Sequence, residues 1–242
     1  VSNFPKIKPF GDHCILLQWH QEISPEIHQC VMGAKRFFSE KYADAILEMV
    51  PAYNSLAVYL NAGISTENFI MEIETGLQSS PLLVSNKASL VYIPVCYGGD
   101  FGPDLEVLSE KLSISIDEII NIHTTPRYLT YFLGFLPGFP YLGGLDPRIS
   151  FPRKATPRLQ VNAGSVGIAG NQTGIYTTHS PGGWNIIGRC PLQFFDVLSE
   201  QPTLIQSGDY IKFYAISNRE FDEIREKVVQ SNYKIRKEEG HV

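Results

Sequence analysis

Between residues 128 and 215 the chain is cut into short apolar runs punctuated by glycine and proline: YLTYFLGF, RLQV, SVGIAG, TGIYT, WNIIG, LQFF and YIKFYAI. A helix of ordinary length does not fit between such breaks. Proline removes a helical hydrogen bond and clashes with the preceding turn, and glycine adds an entropic cost. Runs this short and regularly spaced read as strands, and a succession of them hides its edges best by closing. A closed or nearly closed β-barrel is therefore expected here. The same punctuation rules out a spanning helix at residues 128–145, where Pro137, Pro140 and four glycines interrupt the most apolar stretch.

The upstream third reads differently. HCILLQW (13–19) has strand composition, and SPEIHQCVMGAKRFFSEKY (24–42) has a serine cap, proline at the first helical position and apolar residues at Ile27, Val31 and Ala34. ILEMVPAYNSLAVYL (46–60) reads as two strands around a turn at residues 51–55. STENFIMEIETGL (65–77) reads as a helix capped by Ser65 or Thr66, and SLVYIPV (89–95) as a closing strand. This order suits a ferredoxin-like split βαβ layer. SNKASL (85–90) is the expected hinge, so the chain divides into residues 1–86 and 87–242 and the fold class is α+β. Beyond the hinge, two short helices are expected at residues 104–112 and 115–122, the second opening on the capping box SIDE. SNREFDEIREKVVQSN (217–232) reads as an amphipathic helix with Phe221, Ile224 and Val228 inward.

The 242 residues are 43% hydrophobic and 19% charged, which suits a folded soluble protein. A formal charge of −5 offers no general attraction for nucleic acid or an anionic membrane, so any anion site has to be local. Cys14, Cys30, Cys96 and Cys190 are scattered, without a CxxC pair or a histidine at metal-ligand spacing. A reduced, cytoplasmic chain without a protein-bound metal is the simplest expectation. VSNFPKIKPFGDHCILLQW has no apolar run behind a basic cap, so no signal peptide is expected. GxxxxGK[ST] and GxGxxG are missing, and AGSVG departs from GxSxG, which argues against Ser165 as a nucleophile.

Three glycine-rich segments, GFLPGFPYLGGLD, GNQTGIY and SPGGWNIIGR, and the proline-flanked PRKATPR carry polar groups with no evident use in a turn. Bare glycines let a ligand approach the backbone, and their amides are donors. Arg148, Arg153, Lys154 and Arg158, stiffened by Pro147, Pro152 and Pro157, form a candidate clamp for a carboxylate or phosphate, with a surface salt-bridge network as the competing reading. Arg189 is expected to point into the same space, and Gln172 and Thr173 to bind an amide or ring carbonyl. His123, near the end of a helix, is a candidate general acid or base, or else a partner of the helix dipole. His179 is a weaker candidate of the same kind. Asp104 reads as a helix cap, Asp209 as a turn residue and Asp146 as a partner of the basic cluster.

IPVCYGGDFGPDLE, IHTTPRYLTYFLGFLPGFPYLGGLD, PRKATPR, AGSVGIAGNQTGIY and SPGGWNIIGR together resemble the B subunit of bacterial ATP-dependent 5-oxoprolinase. That family is also described as allophanate hydrolase subunit 1, or as the Kip-type inhibitor of a sporulation sensor histidine kinase. The resemblance implies a ferredoxin-like domain followed by a cyclophilin-like barrel. It also implies two partners, the A and C subunits, which together with the B subunit cleave 5-oxo-L-proline to L-glutamate at the expense of ATP. A fused pair of such barrels resembles the carboxyltransferase part of urea carboxylase, which keeps urea or allophanate as an alternative substrate, and the Kip-type description keeps a sensor histidine kinase as an alternative partner. The family pattern falls on His123, a candidate proton carrier, and on Arg153, Arg158, Arg189, Gln172, Thr173 and Tyr128 as substrate-binding candidates. Gly134, Pro137, Gly138, Phe139, Gly174, Ser180, Gly182, Gly183 and Trp184 would form the pocket. Asn162 before AGSV and Cys190 after IGR depart from the pattern, and bear on substrate preference.

Overall fold

A computed structural model describes residues 4–79 and 88–240, and its contacts divide the chain into two compact units, residues 1–86 and 87–242. Ser85, Asn86 and Lys87 of the expected hinge lie outside the described residues.

The first unit comprises β1 (Lys6–Pro9), β2 (Cys14–Gln18), α1 (Pro25–Lys41), β3 (Ile46–Pro51), β4 (Ser55–Leu60) and α2 (Thr66–Gln78). Ser24 caps α1 by accepting the Ile27 amide at 3.2 Å, with Pro25 in the first turn. Ser65 caps α2 through the Asn68 amide at 3.3 Å. The strands form an antiparallel sheet in the order β1-β2-β4-β3. Ile15, Leu17, Leu56 and Val58 of the sheet bury against Val31, Phe38, Phe69 and Ile73 of the helices. One expectation is corrected here. The edge place beside β2, which a ferredoxin-like order reserves for the strand after α2, is taken by β1 from the N-terminal side.

The expected closing strand belongs instead to the second unit, as the ten-residue β5 (Ala88–Tyr97). It is followed by α3 (Leu105–Leu112), α4 (Ile116–Thr124), β6 (Tyr128–Leu133), β7 (Pro140–Gly143), β8 (Arg158–Val161), β9 (Ser165–Ala169), β10 (Gln172–Ile175), β11 (Ser180–Gly182), β12 (Asn185–Arg189), β13 (Tyr210–Ala215), α5 (Asn218–Val229) and β14 (Lys237–Gly240). Seven strands close a mixed barrel in the cyclic order β12-β9-β10-β7-β6-β13-β5, sealed by β5 against β12, while β14 lies on the outer edge of β5. The β13–β5 pair is parallel. A strand with neighbours on both sides reads as a nearly unbroken apolar run, and SLVYIPV does so.

Alternation along the barrel strands separates two apolar clusters. Val166, Ile168, Ile175, Ile187, Ile211 and Phe213 fill the interior. Ala169, Tyr176 and Ile186 join Phe139, Val161 and Trp184 in a second cluster. Because neighbouring strand residues point to opposite faces, this second cluster lies on the outside of the β9-β10-β12 wall. The antiparallel pair β8–β11 and the loop between β6 and β7 supply its remaining members. It is the aromatic centre of the glycine-rich segments.

Candidate functional site

Trp184 is the hub of this outer cluster. Its ring meets Phe139 edge-on with centroids 5.5 Å apart, and Tyr141 and Tyr176 at 6.3 and 6.5 Å. Glycine makes the packing possible: a Cβ on Gly174 would stand 3.0 Å from the Phe139 ring, the Pro140 carbonyl and the Trp184 ring at once, and a Cβ on Gly182 would run into the Tyr176 phenol. Phe135 projects from the loop between β6 and β7, 62% exposed, with its ring edge-on to Phe139 at 5.6 Å and to Tyr176 at 6.3 Å. Its φ of +67° is a left-handed conformation that a bulky side chain adopts only under local constraint. Those constraints are visible. Gly134 donates to the Phe139 carbonyl (3.1 Å), Phe139 to the Leu136 carbonyl (3.0 Å) and the Thr177 hydroxyl to the Pro137 carbonyl (2.7 Å), while Gly138 turns the chain at φ +74°.

The four cations of the basic segment do not converge. Arg148 pairs with Asp146 (2.9 Å) and Glu118 (3.6 Å) on the surface, so Asp146 does engage the cluster, at this one arginine. Lys154 and Arg158 both hold Asp104, at 2.8 Å and, through both guanidinium ends, at 2.7 Å. The Ile186 amide donates to the same carboxylate at 2.7 Å. Asp104 stands at the start of α3 but makes no side-chain cap, which corrects the expected role. Burial raises its pKa, and the hydrogen bonds from Arg158, Lys154 and the Ile186 amide outweigh that and hold it below the usual carboxylate value. In the expected clamp, Arg158 and Lys154 are therefore both held by one carboxylate, which leaves the three side chains with one positive charge in excess. Arg153 is left over: exposed, with no carboxylate at ion-pair distance among the described residues, its guanidinium lies 5.9 Å from the Trp184 ring. It is near enough to pull down the pKa of Tyr141 and Tyr176, although burial of both phenols prevails and their pKa values are raised.

His123 lies inside the barrel, fully buried. Its Nδ1 is 2.7 Å from the Tyr97 hydroxyl and its Nε2 2.9 Å from Thr173 Oγ1, while the ring stacks on Phe213 with centroids 4.7 Å apart. Tyr128 donates its hydroxyl to the His123 carbonyl at 2.8 Å. Burial pulls the imidazole down to about 3, so the ring is neutral at physiological pH and cannot act as a cationic partner of the α4 dipole. A proton carrier has to meet its substrate, and this ring meets core groups on every side described.

Thr173 and Gln172 are neighbours on β10 and face opposite sides of the wall. Thr173 turns inward to His123, and Gln172 shares the outer face of Gly174, which meets Phe139 and Trp184. Ser180 and Gly182 lie on β11, and the Gly183 carbonyl accepts the Lys154 amide at 2.8 Å, which ties the basic segment to the Trp184 turn. Arg189 sits at the opposite end of β12 from Trp184, over the Phe101 ring at 5.5 Å. The structure thus gathers Arg153, Gln172, Gly174, Phe139, Gly182, Gly183 and Trp184 around one face, sets Arg158 beside it on β8 opposite Gly182, and separates His123, Thr173, Tyr128 and Arg189 from it. Reading the sequence missed Asp104 as the anchor of the basic segment, Tyr97 as the partner of His123, and Phe135, Tyr141 and Tyr176 as members of the site. A signal for these three aromatics existed: each lies within a glycine-rich segment beside the other candidates.

Among the described residues, no group of three or more His, Cys, Asp or Glu is placed to hold a metal ion. No described helix is long and apolar enough to cross a membrane. Residues 5–205 match the family model described as carboxyltransferase domain, subdomain C and D. The chain is 39% identical over 233 residues to the 5-oxoprolinase B subunit of Bacillus subtilis (strain 168), covering 92% of this chain and 97% of that one. It is 42% identical over 168 residues to the 5-oxoprolinase B subunit of Haemophilus influenzae, covering 69% of this chain and 78% of that one. The crystal structure of TTHA0988 in space group P212121 has the same fold, with a TM-score of 0.75 at 31% identity over 85% of this chain. The matched region spans only 40% of that longer chain.

Proposed function

The chain belongs to the 5-oxoprolinase B-subunit family of carboxyltransferase-domain proteins, and on that premise we propose that its outer aromatic face seats 5-oxo-L-proline for cleavage to L-glutamate. It is one component of a multisubunit hydrolase, and the contribution of its residues is recognition. The observation that carries the reading is Arg153, the cation of the basic segment without a carboxylate partner among the described residues, held 5.9 Å from Trp184. The substrate is a small ring bearing one carboxylate. A guanidinium pairs with the carboxylate, and the exposed Phe135 ring, backed by the buried Phe139, Tyr176 and Trp184, offers a surface for the lactam to lie against. Gln172 and Tyr141 supply polar groups at the edge. In this reading the two units are domains divided near residue 86, the barrel is a cyclophilin-like scaffold, and His123 is a positioning residue that fixes β10 from within.

ATP does not fit the residues of this face. Lys154 and Arg158 are both engaged by Asp104, Arg148 is paired, and the sequence has neither GxxxxGK[ST] nor GxGxxG. The nucleotide and its phosphoryl chemistry are assigned to the partner A and C subunits, and no step here runs through them. The four free, buried cysteines support a reducing, cytoplasmic setting.

The test is reconstitution with the A and C subunits and an assay of 5-oxoproline-dependent ATP hydrolysis. Arg153→Gln is expected to raise KM for 5-oxoproline about tenfold or more, the scale of one charge-assisted hydrogen bond. An assembled Arg153→Gln complex with unchanged KM would overturn the seat. Turnover of allophanate or urea in preference to 5-oxoproline would overturn the substrate.

A further inference from the structure

A second cationic site stands at the other end of β12, in a groove of about 360 Å3 walled by α5 and by the segments flanking β9, β10 and β12. Arg189 enters it from the strand and Arg225 from the helix, and Asn162 and Gln193, whose Nε2 donates one hydrogen to the Phe195 carbonyl at 3.1 Å, add side-chain amides, with His179 at the exposed rim. Two rings hold the arginines in place: Arg189 lies 5.5 Å from the Phe101 ring, Phe101 packs on Phe221 with centroids 4.5 Å apart, and Arg225 lies 5.9 Å from Phe221. Aromatic faces fix a guanidinium without neutralising it.

The carboxylates nearby leave Arg189 unanswered. Asp222 pairs with Arg225 at 3.0 Å, an exposed contact. Asp100 acts on the charge of Arg189 from beyond ion-pair distance, and burial lowers the guanidinium pKa against that attraction. Arg189 Nε is buried and meets no protein acceptor. A partly desolvated guanidinium without a carboxylate partner is costly, and an anion on its groove-facing end offsets that cost.

We propose that this groove binds a small anion bearing a carboxylate or a phosphate group, with Arg189 as its principal partner. The site is separate from the aromatic face. Tyr176 and Thr177 mark the divide between them: the Tyr176 ring packs in the Trp184 cluster, and Thr177 lines the groove.

The experiment is calorimetric titration of the full chain with inorganic phosphate and acetate in separate arms, which distinguishes a phosphate ligand from a carboxylate one and avoids the substrate and product assigned to the aromatic face. At least one is expected to bind in the millimolar range or tighter. Arg189→Gln is expected to weaken that binding about tenfold or more, and Gln193→Leu, which leaves the arginine in place, to weaken it measurably. Arg153→Gln, on the other face, is expected to leave it unchanged. The proposal is overturned if no arm binds, if binding survives both groove substitutions, or if it follows Arg153. Since Gln193 is exposed, its variant reports even where Arg189→Gln fails to fold.

Discussion

Thr173 Oγ1 donates to the Gly167 carbonyl at 3.1 Å and lies 2.9 Å from His123 Nε2, so the hydroxyl proton is already committed and the histidine is the donor between them. His123 is therefore the Nε2–H tautomer, and its Nδ1 accepts from the Tyr97 hydroxyl. The chain Tyr97–His123–Thr173–Gly167 joins β5, α4, β10 and β9 across the barrel interior.

That relationship predicts an acid-sensitive barrel. With a folded pKa of about 3 against a reference of 6.5, His123 binds a proton more readily in the unfolded state. Its contribution is intact above pH 6.5 and is lost as pH falls from there towards 3, at about 1.4 kcal/mol per pH unit. Denaturant titrations from pH 7 to 5 are expected to show this slope, and His123→Gln to flatten it. Equal slopes in both proteins would remove His123 from the account.

A second prediction concerns Asp104. Asp104→Asn keeps the shape but withdraws the charge from Lys154 and Arg158, whose side chains are 30% and 28% exposed. Removing one member of a buried pair costs about 3–5 kcal/mol, and partial hydration of these cations reduces that to about 2–3 kcal/mol. The folded pKa of Asp104 is depressed, so its contribution is full above 3.8 and is lost as pH falls below that value through the folded pKa. The urea midpoint at neutral pH is expected to drop in the variant and the deficit to shrink below pH 3.8, a window separate from most of that of His123.

Much of the barrel was legible in the sequence because glycine and proline break it into strands, and burial on both faces made β5 one apolar run. Its placement was not legible: the same run serves either unit, and only its pairing with β12 and β13 decides. The site was legible as a set of segments and not as a set of partners. Prolines beside Arg153, Lys154 and Arg158 suggested a clamp, yet Asp104 lies some fifty residues upstream and nothing local announces that it will hold two of the three. Strand periodicity did contain the split between Thr173 and Gln172, since neighbours on β10 must face opposite ways.

The glycine at 174 gives a third prediction. Gly174→Ala puts a methyl carbon 3.0 Å from two rings and a carbonyl, and the Pro140 carbonyl belongs to β7, which pairs with β10. Relief requires Trp184 and Phe139 to move. The expected cost is about 1–3 kcal/mol, typical of overpacking, together with a raised KM for 5-oxoproline and an altered Trp184 emission spectrum in the folded variant. An unchanged spectrum and KM would show that the rings are not positioned by this glycine.

Phe135 provides the last prediction, in which stability and function move apart. Its left-handed backbone costs about 1–2 kcal/mol that glycine does not bear, while its 62% exposed ring contributes little burial. Phe135→Gly is therefore expected to keep or raise the thermal midpoint, and Phe135→Leu, which retains the strain without the aromatic edge, to lower it slightly. Both remove the ring that flanks Phe139 and Tyr176, so both are expected to raise KM for 5-oxoproline in the reconstituted complex. If Phe135→Gly lowers the midpoint as much as Phe135→Leu, the ring is held for packing. If it raises the midpoint while weakening substrate binding, the strained backbone is maintained for the sake of the site.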